Sequence, residues 1–166
     1  MAALIKTVVP VLAFALGACA ALSPSVPPGA SKSEVEATLG KPVDVLDAPG
    51  GEVVWQYPRG PSGQFTYMVA FGADGRAKGL TQALTWENFA SIRPGMTRDE
   101  IRLRFGRPGT IVTYRNLGEE VWSYSYRIPA ATSRIFNVHF EVATGLVRST
   151  SEQEDPLFNP PVRGVR

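Results

Sequence analysis

Two segments of this chain carry the same instructions for starting, stopping and leaving a helix. GASKSEVEATLGKP at 29–42 aligns with GMTRDEIRLRFGRP at 95–108, pairing Gly29 with Gly95, Glu34 with Glu100, Val35 with Ile101, Leu39 with Phe105, Gly40 with Gly106 and Pro42 with Pro108 at an offset of 66. The correspondence continues through Trp55 and Tyr57 against Trp122 and Tyr124, and Phe71 against Phe140, the offset widening by a few residues as loops lengthen. A tandem duplication constrains the fold more than any composition can, because each copy is one supersecondary unit with a hydrophobic face to bury. At 66 to 70 residues per copy, one half alone is marginal, so the two are expected to share a sheet or a core.

The chain opens on a different kind of segment. Residues 1–18 contain one basic residue, Lys6, then an apolar run over 8–16 and a small-residue ending. This is the pattern of a secretory signal peptide, too short to span a bilayer as a helix. Leu16, Gly17, Ala18 and Cys19 resemble a bacterial lipobox, after which Cys19 becomes the lipidated first residue of the mature protein. Cys19 is the chain's single cysteine. In an oxidising compartment a lone thiol would be left reactive, whereas lipidation consumes it. At about 0.8 kcal/mol per buried methylene, two or three acyl chains anchor a protein almost permanently. Ala20 rather than aspartate follows the cysteine, which favours the outer membrane by the sorting rule that the resemblance implies. The expected location is the periplasmic face of the outer membrane.

Without Lys6 the chain has 16 basic residues against 15 acidic ones. A net charge of about +1 leaves no electrostatic footprint for nucleic acid. The expected organisation is signal peptide 1–18, lipidated tether 19–28, first repeat 29–84, second repeat 85–151 and flexible tail 152–166. Pro24, Pro27 and Pro28 make the tether extended, and Pro156, Pro160, Pro161 and Gly164 deny the tail any periodicity.

Within each repeat the local signals agree. Ser31 and Glu34, like Thr97 and Glu100, have the spacing of a capping box, in which each side chain satisfies an orphan backbone donor at the helix start. Gly40 and Gly106 then supply the positive φ needed to leave, and Pro42 and Pro108 forbid continuation. The spacing predicts helices over 32–39 and 98–105, with Val35 and Leu39, and Ile101 and Phe105, four apart on one apolar stripe. Thr85 caps a further short helix over 85–92, without counterpart in the first repeat. Helices this short require packing on something flat.

Alternating segments at 54–57, 67–71, 121–126 and 136–142 supply that surface, with final strands near 77–81 and 146–149. One face collects Trp55, Tyr57, Tyr67, Val69, Phe71, Trp122, Tyr124, Tyr126, Phe136, Val138, Phe140 and Val142. The other collects Gln56, Met68, Ala70, Ser123, Ser125, Asn137, His139 and Glu141. Burying the aromatic stripe under the helices is favourable by several kcal/mol, at about 25 cal/mol/Å², whereas burying so many polar groups unsatisfied is costly. The polar face is therefore expected to be open. The fold class is α+β: two tandem repeats of short helices on one face of an antiparallel sheet.

Gly95, Met96 and Thr97 with Glu100, Ile101, Phe105, Gly106 and Pro108, then Trp122, Ser123 and Tyr124 and the strand and turn at 136–145, resemble the SmpA/OmlA domain. That family includes the outer membrane protein assembly factor BamE, and its tandem form is similar in fold to beta-lactamase inhibitory protein. The first repeat departs from the motif, with Ala30 where Met96 stands and no upstream helix. The resemblance implies a non-enzymatic, lipid-anchored accessory protein of outer-membrane assembly or envelope maintenance, with barrel-assembly proteins as partners. A binding module or inhibitor similar to beta-lactamase inhibitory protein is the alternative.

The residues themselves offer little to an enzyme. His139 is the sole histidine, and no nucleophile elbow, phosphate loop or metal-ligand spacing accompanies it. No catalytic residue, cofactor, metal or small-molecule substrate is expected. The candidate partner-binding face is Gln56, Met68, Ser123, Ser125, Asn137, His139 and Glu141, and Cys19 is the lipidation site. Arg98, Arg102 and Arg104, interleaved with Asp99 and Glu100, are read as helix-surface ion pairs.

Overall fold

The computed structural model describes residues 24–128 and 132–158. Cys19 and the signal peptide lie outside the described residues. The first half runs α1 (Lys32–Leu39), β1 (Asp44–Ala48), β2 (Glu52–Arg59), β3 (Phe65–Phe71) and β4 (Ala77–Gln82). The second runs α2 (Trp86–Phe89), α3 (Arg98–Phe105), β5 (Thr110–Tyr114), β6 (Glu119–Arg127), β7 (Ser133–Glu141) and β8 (Val147–Glu154). Each half forms its own four-stranded antiparallel meander, β1-β2-β3-β4 and β5-β6-β7-β8.

Both α1 and α3 begin with the capping box the spacing predicts. Ser31 Oγ accepts from the Glu34 N–H at 3.3 Å while Glu34 accepts from the Ser31 N–H at 2.7 Å, and Thr97 and Glu100 repeat the pair at 3.2 and 2.7 Å. These bonds, the backbone one foremost, hold both carboxyls below the usual carboxylate range. Both helices end on glycine, where the Gly40 N–H donates to Glu36 and the Gly106 N–H to Arg102, each at 2.8 Å. Gly40 and Gly106 have φ of +81° and +76° with extended ψ, a mirror-image region open only to glycine at low cost. The entries are anchored alike: Gly29 N–H donates to Ala77 and Ala77 N–H to Ala30, as Gly95 donates to Val147 and Val147 to Met96, all within 2.7–2.8 Å.

The halves differ in what covers each sheet. On the first sheet Trp55, Tyr57, Val69 and Phe71 share a face, and with Val35, Ala77 and the half-buried Leu39 they form one core under α1. The opposite face, carrying Leu46, Val54 and Met68, packs into a second core built from α2, α3 and the second sheet. That core includes Ala83, Leu84, Phe89, Ile101, Phe105, Trp122, Tyr124, Tyr126, Phe136, Val138 and Phe140. At its centre Phe89 stacks on Phe136 and Phe105, with ring centroids 4.2 and 5.0 Å apart, and meets Tyr126 edge-on at 5.1 Å. The layers thus read α1, first sheet, α2 with α3, second sheet. The far face of the second sheet is left to solvent.

Four expectations change. Strands β1 and β5 were not legible as alternating segments and add an edge to each sheet. Val142 lies beyond β7 and is 44% exposed, outside the aromatic core. The body does not end at residue 151, since β8 runs through Glu154 and the buried Asp155 accepts from Ser125 Oγ at 2.6 Å. The arginines of α3 pair across elements, Arg98 with Glu120 at 2.8 Å and Arg102 with Asp44 at 2.6 Å. Because Asp44 starts β1, the Arg102 pair ties α3 to the first sheet.

Corresponding tyrosines give a direct comparison. Tyr124 Oη donates to the carbonyl of Gly106 at 3.2 Å, whereas Tyr57 Oη is buried and has no partner among the described residues. Burial pushes the Tyr57 hydroxyl up to about 12, with the nearby Glu36 carboxylate adding to the effect. Removing an orphaned buried hydroxyl relieves a desolvation penalty, while removing a bonded one leaves a carbonyl unsatisfied. Tyr57→Phe is expected to raise stability by about 1 kcal/mol and Tyr124→Phe to lower it by about as much. Urea unfolding of the two variants tests this, and the reverse order would contradict it.

Candidate functional site

The solvent-facing side of the second sheet is a polar surface laid out by strand register. Thr110, Ser123, Asn137 and Ser151 form one cross-strand row, and Val112, Val121, His139 and Ser149 form the next. Tyr114, Glu119 and Glu141 form the row beyond. These residues point away from the helices because side chains alternate along a strand and the aromatic positions between them are committed to the core.

The polar groups bond mostly to one another. Ser123 Oγ donates to Asn137 Oδ1 at 2.8 Å, and Asn137 Nδ2 donates to Ser151 Oγ at 3.3 Å. Ser151 Oγ also lies 2.8 Å from His139 Nε2, and His139 Nδ1 lies 3.2 Å from a Glu119 carboxylate oxygen. Such networks hold rotamers and make the surface specific. The Ser151, His139 and Glu119 sequence has the order of a hydroxyl, base and carboxylate relay. Chemistry of that kind also needs donors aimed at a developing oxyanion. The backbone N–H groups of the central strands β6 and β7 are instead committed to their ladders. The arrangement suits recognition through hydrogen bonds.

The seven residues expected on one open face are divided. Ser123, Ser125, Asn137, His139 and Glu141 belong to the second sheet's solvent side, where Glu141 is exposed and accepts from Thr144 Oγ1 at 2.8 Å. Gln56 and Met68 do not join them. Met68 is part of the core shared between the halves. Gln56 is 2% exposed, and its Oε1 accepts from the Arg107 N–H at 3.0 Å. Burying Gln56 is tolerated because the second half supplies its bond.

Apolar side chains reach the surface elsewhere. A cavity of about 530 Å³ between the halves is lined by Phe65, Tyr67, Leu84, Trp86 and Ile128 among others, and Trp86 is 53% exposed. Sequence reasoning placed no site there because its walls come from three separate segments.

Residues 82–151 match the family model described as the outer membrane protein assembly factor BamE domain. The match begins at the last residue of β4 and takes in α2, α3, β5, β6, β7 and most of β8. The matched segment includes the Phe89 core and the polar face, while α1 and most of the first sheet precede it. No curated protein matches the chain. Among solved structures, a Streptococcus mutans protein provisionally titled a beta-lactamase inhibitor protein is similar at 11% identity, over 75% of this chain and 83% of that one, with a TM-score of 0.31. A likeness that distant supports no argument about architecture or activity.

Proposed function

We propose that the protein is a non-enzymatic accessory factor of outer-membrane protein assembly or envelope maintenance. In this reading it is held at the periplasmic face of the outer membrane by lipid on Cys19 and acts through protein contacts. The observation that carries the reading is the BamE domain match at 82–151. The anchor is supported by the residue order Leu16, Gly17, Ala18 and Cys19. The contact face is the second sheet's solvent side, with Ser123, Ser125, Asn137, His139 and Glu141, where adaptable polar groups sit on a rigid scaffold. The first half is read as a second copy of the same unit, supported by the repeated caps and entry bonds. Partners are barrel-assembly proteins, and no cofactor takes part.

Two experiments test the reading separately. Globomycin is expected to cause accumulation of a larger precursor, and no size change would contradict lipidation at Cys19. A pull-down from membranes with the anchor intact is expected to recover barrel-assembly components. Their absence would contradict the assembly role, whatever the state of the anchor.

A further inference from the structure

We propose that β5 is a docking edge for an extended strand of a partner polypeptide, one whose apolar centre is flanked by acidic residues. This goes beyond the assembly role and does not depend on it. The two sheets have four edge strands, and an edge presents unpaired backbone groups that template another strand unless something prevents it. Three edges are guarded. Strand β1 carries Asp44 and Asp47. Strand β4 carries Lys78, and Gly79 at φ +137°, beside a register shift. Strand β8 carries Arg148, Glu152 and Glu154, also beside a register shift.

Strand β5 has none of these protections. Its sequence, TIVTY, has no charge, proline or glycine, its register against β6 is uninterrupted, and all five residues are exposed. Threonine, isoleucine, valine and tyrosine are all favoured in strands. Ile111 is 53% exposed on the face it shares with Trp122, and Val112 and Tyr114 are 42% and 45% exposed on the opposite face. An incoming strand would find apolar neighbours on both faces as well as backbone partners, the combination that strand addition uses.

Charge at the two ends selects the partner. Arg107 precedes the strand and Arg115 follows it; both are exposed, and neither forms an ion pair among the described residues. Antiparallel pairing with a second copy about Ile111 would set Arg107 of each chain opposite Arg115 of the other, a like-charge contact at both ends. A foreign strand with glutamate or aspartate at its ends meets opposite charge instead.

The test uses the full chain in detergent and a blocked nine-residue peptide of valine and threonine with glutamate at both ends. Saturable binding is expected, with slowed amide hydrogen exchange confined to β5, and binding at least about tenfold weaker for the same peptide with lysine ends. The double variant Ile111→Lys, Val112→Lys is expected to weaken binding at least about tenfold. Its thermal midpoint should be unchanged, because both positions are exposed. No saturable binding, or binding indifferent to these substitutions or to the peptide's end charges, would overturn the proposal. Sedimentation showing a dimer abolished by the same substitutions would assign the edge to a second copy and overturn it equally.

Discussion

Replacing Phe89 with alanine is expected to destabilise the protein by about 3–5 kcal/mol, the range for a large aromatic removed from a packed core. Its ring is 1% exposed and wedged against Phe105 and Phe136. The surrounding rings are held by α3 and the second sheet, so the void cannot collapse cheaply. Its cluster also includes Met68, Ala83 and Leu84 from beyond the second sheet. The loss is therefore expected to appear as one cooperative transition, with the thermal midpoint lowered by about 10–15 °C. Trp86, three residues away and 53% exposed, provides the control. Trp86→Ala should cost less than about 1 kcal/mol by urea or thermal unfolding. A Phe89→Ala cost below about 1 kcal/mol, or two separated transitions, would contradict the shared core.

The second large effect separates the halves through corresponding glycines. Gly40 and Gly106 have nearly the same positive φ, so alanine at either carries a similar backbone strain of about 1–2 kcal/mol. A Cβ at Gly40 would meet nothing within 4 Å, whereas one at Gly106 would lie 2.5 Å from the Gln56 side chain. Gln56 is buried and accepts from Arg107, so moving it breaks a bond between the halves. Gly106→Ala is expected to cost about 2 kcal/mol more than Gly40→Ala, from the displaced side chain and its unsatisfied partner. In the Gly106→Ala background, Gln56→Ala should cost less than it does alone, a coupling that a double-mutant cycle in urea measures. Equal costs at the two glycines, with no coupling, would remove Gln56 from the seam.

Local instructions were legible in the sequence, and contacts between the halves were not. Helices at 32–39 and 98–105 are found at those bounds because caps, exit glycines and prolines act within a few residues. The aromatic stripe was readable because strand alternation is local too. Strand β5 is exposed along its whole length and so lacks alternation, and β1 buries only one large apolar side chain, Leu46, between two aspartates; a β-branched run after Pro108 and Gly109 was the available signal for β5. Met68 and Gln56 were set on an open face because nothing near them in sequence announces that α3 covers the first sheet. Phe89 was seen only as part of a short helix. Its wedge role comes from rings up to 47 residues away, between Phe89 and Phe136. The polar face was readable as a surface through Ser123, Asn137 and His139, but the Ser151 that links the last two stood outside the expected set.

The functional account turns on what meets the second sheet's solvent side in the cell. The direct measurement places a photocrosslinking residue at Ser151, on the polar face, and in parallel at Lys78, on the edge of the first sheet, in the full chain expressed in cells. The account predicts crosslinks from position 151 to a barrel-assembly protein and none to it from position 78. Crosslinks to that machinery from neither position, or equally from both, would contradict it.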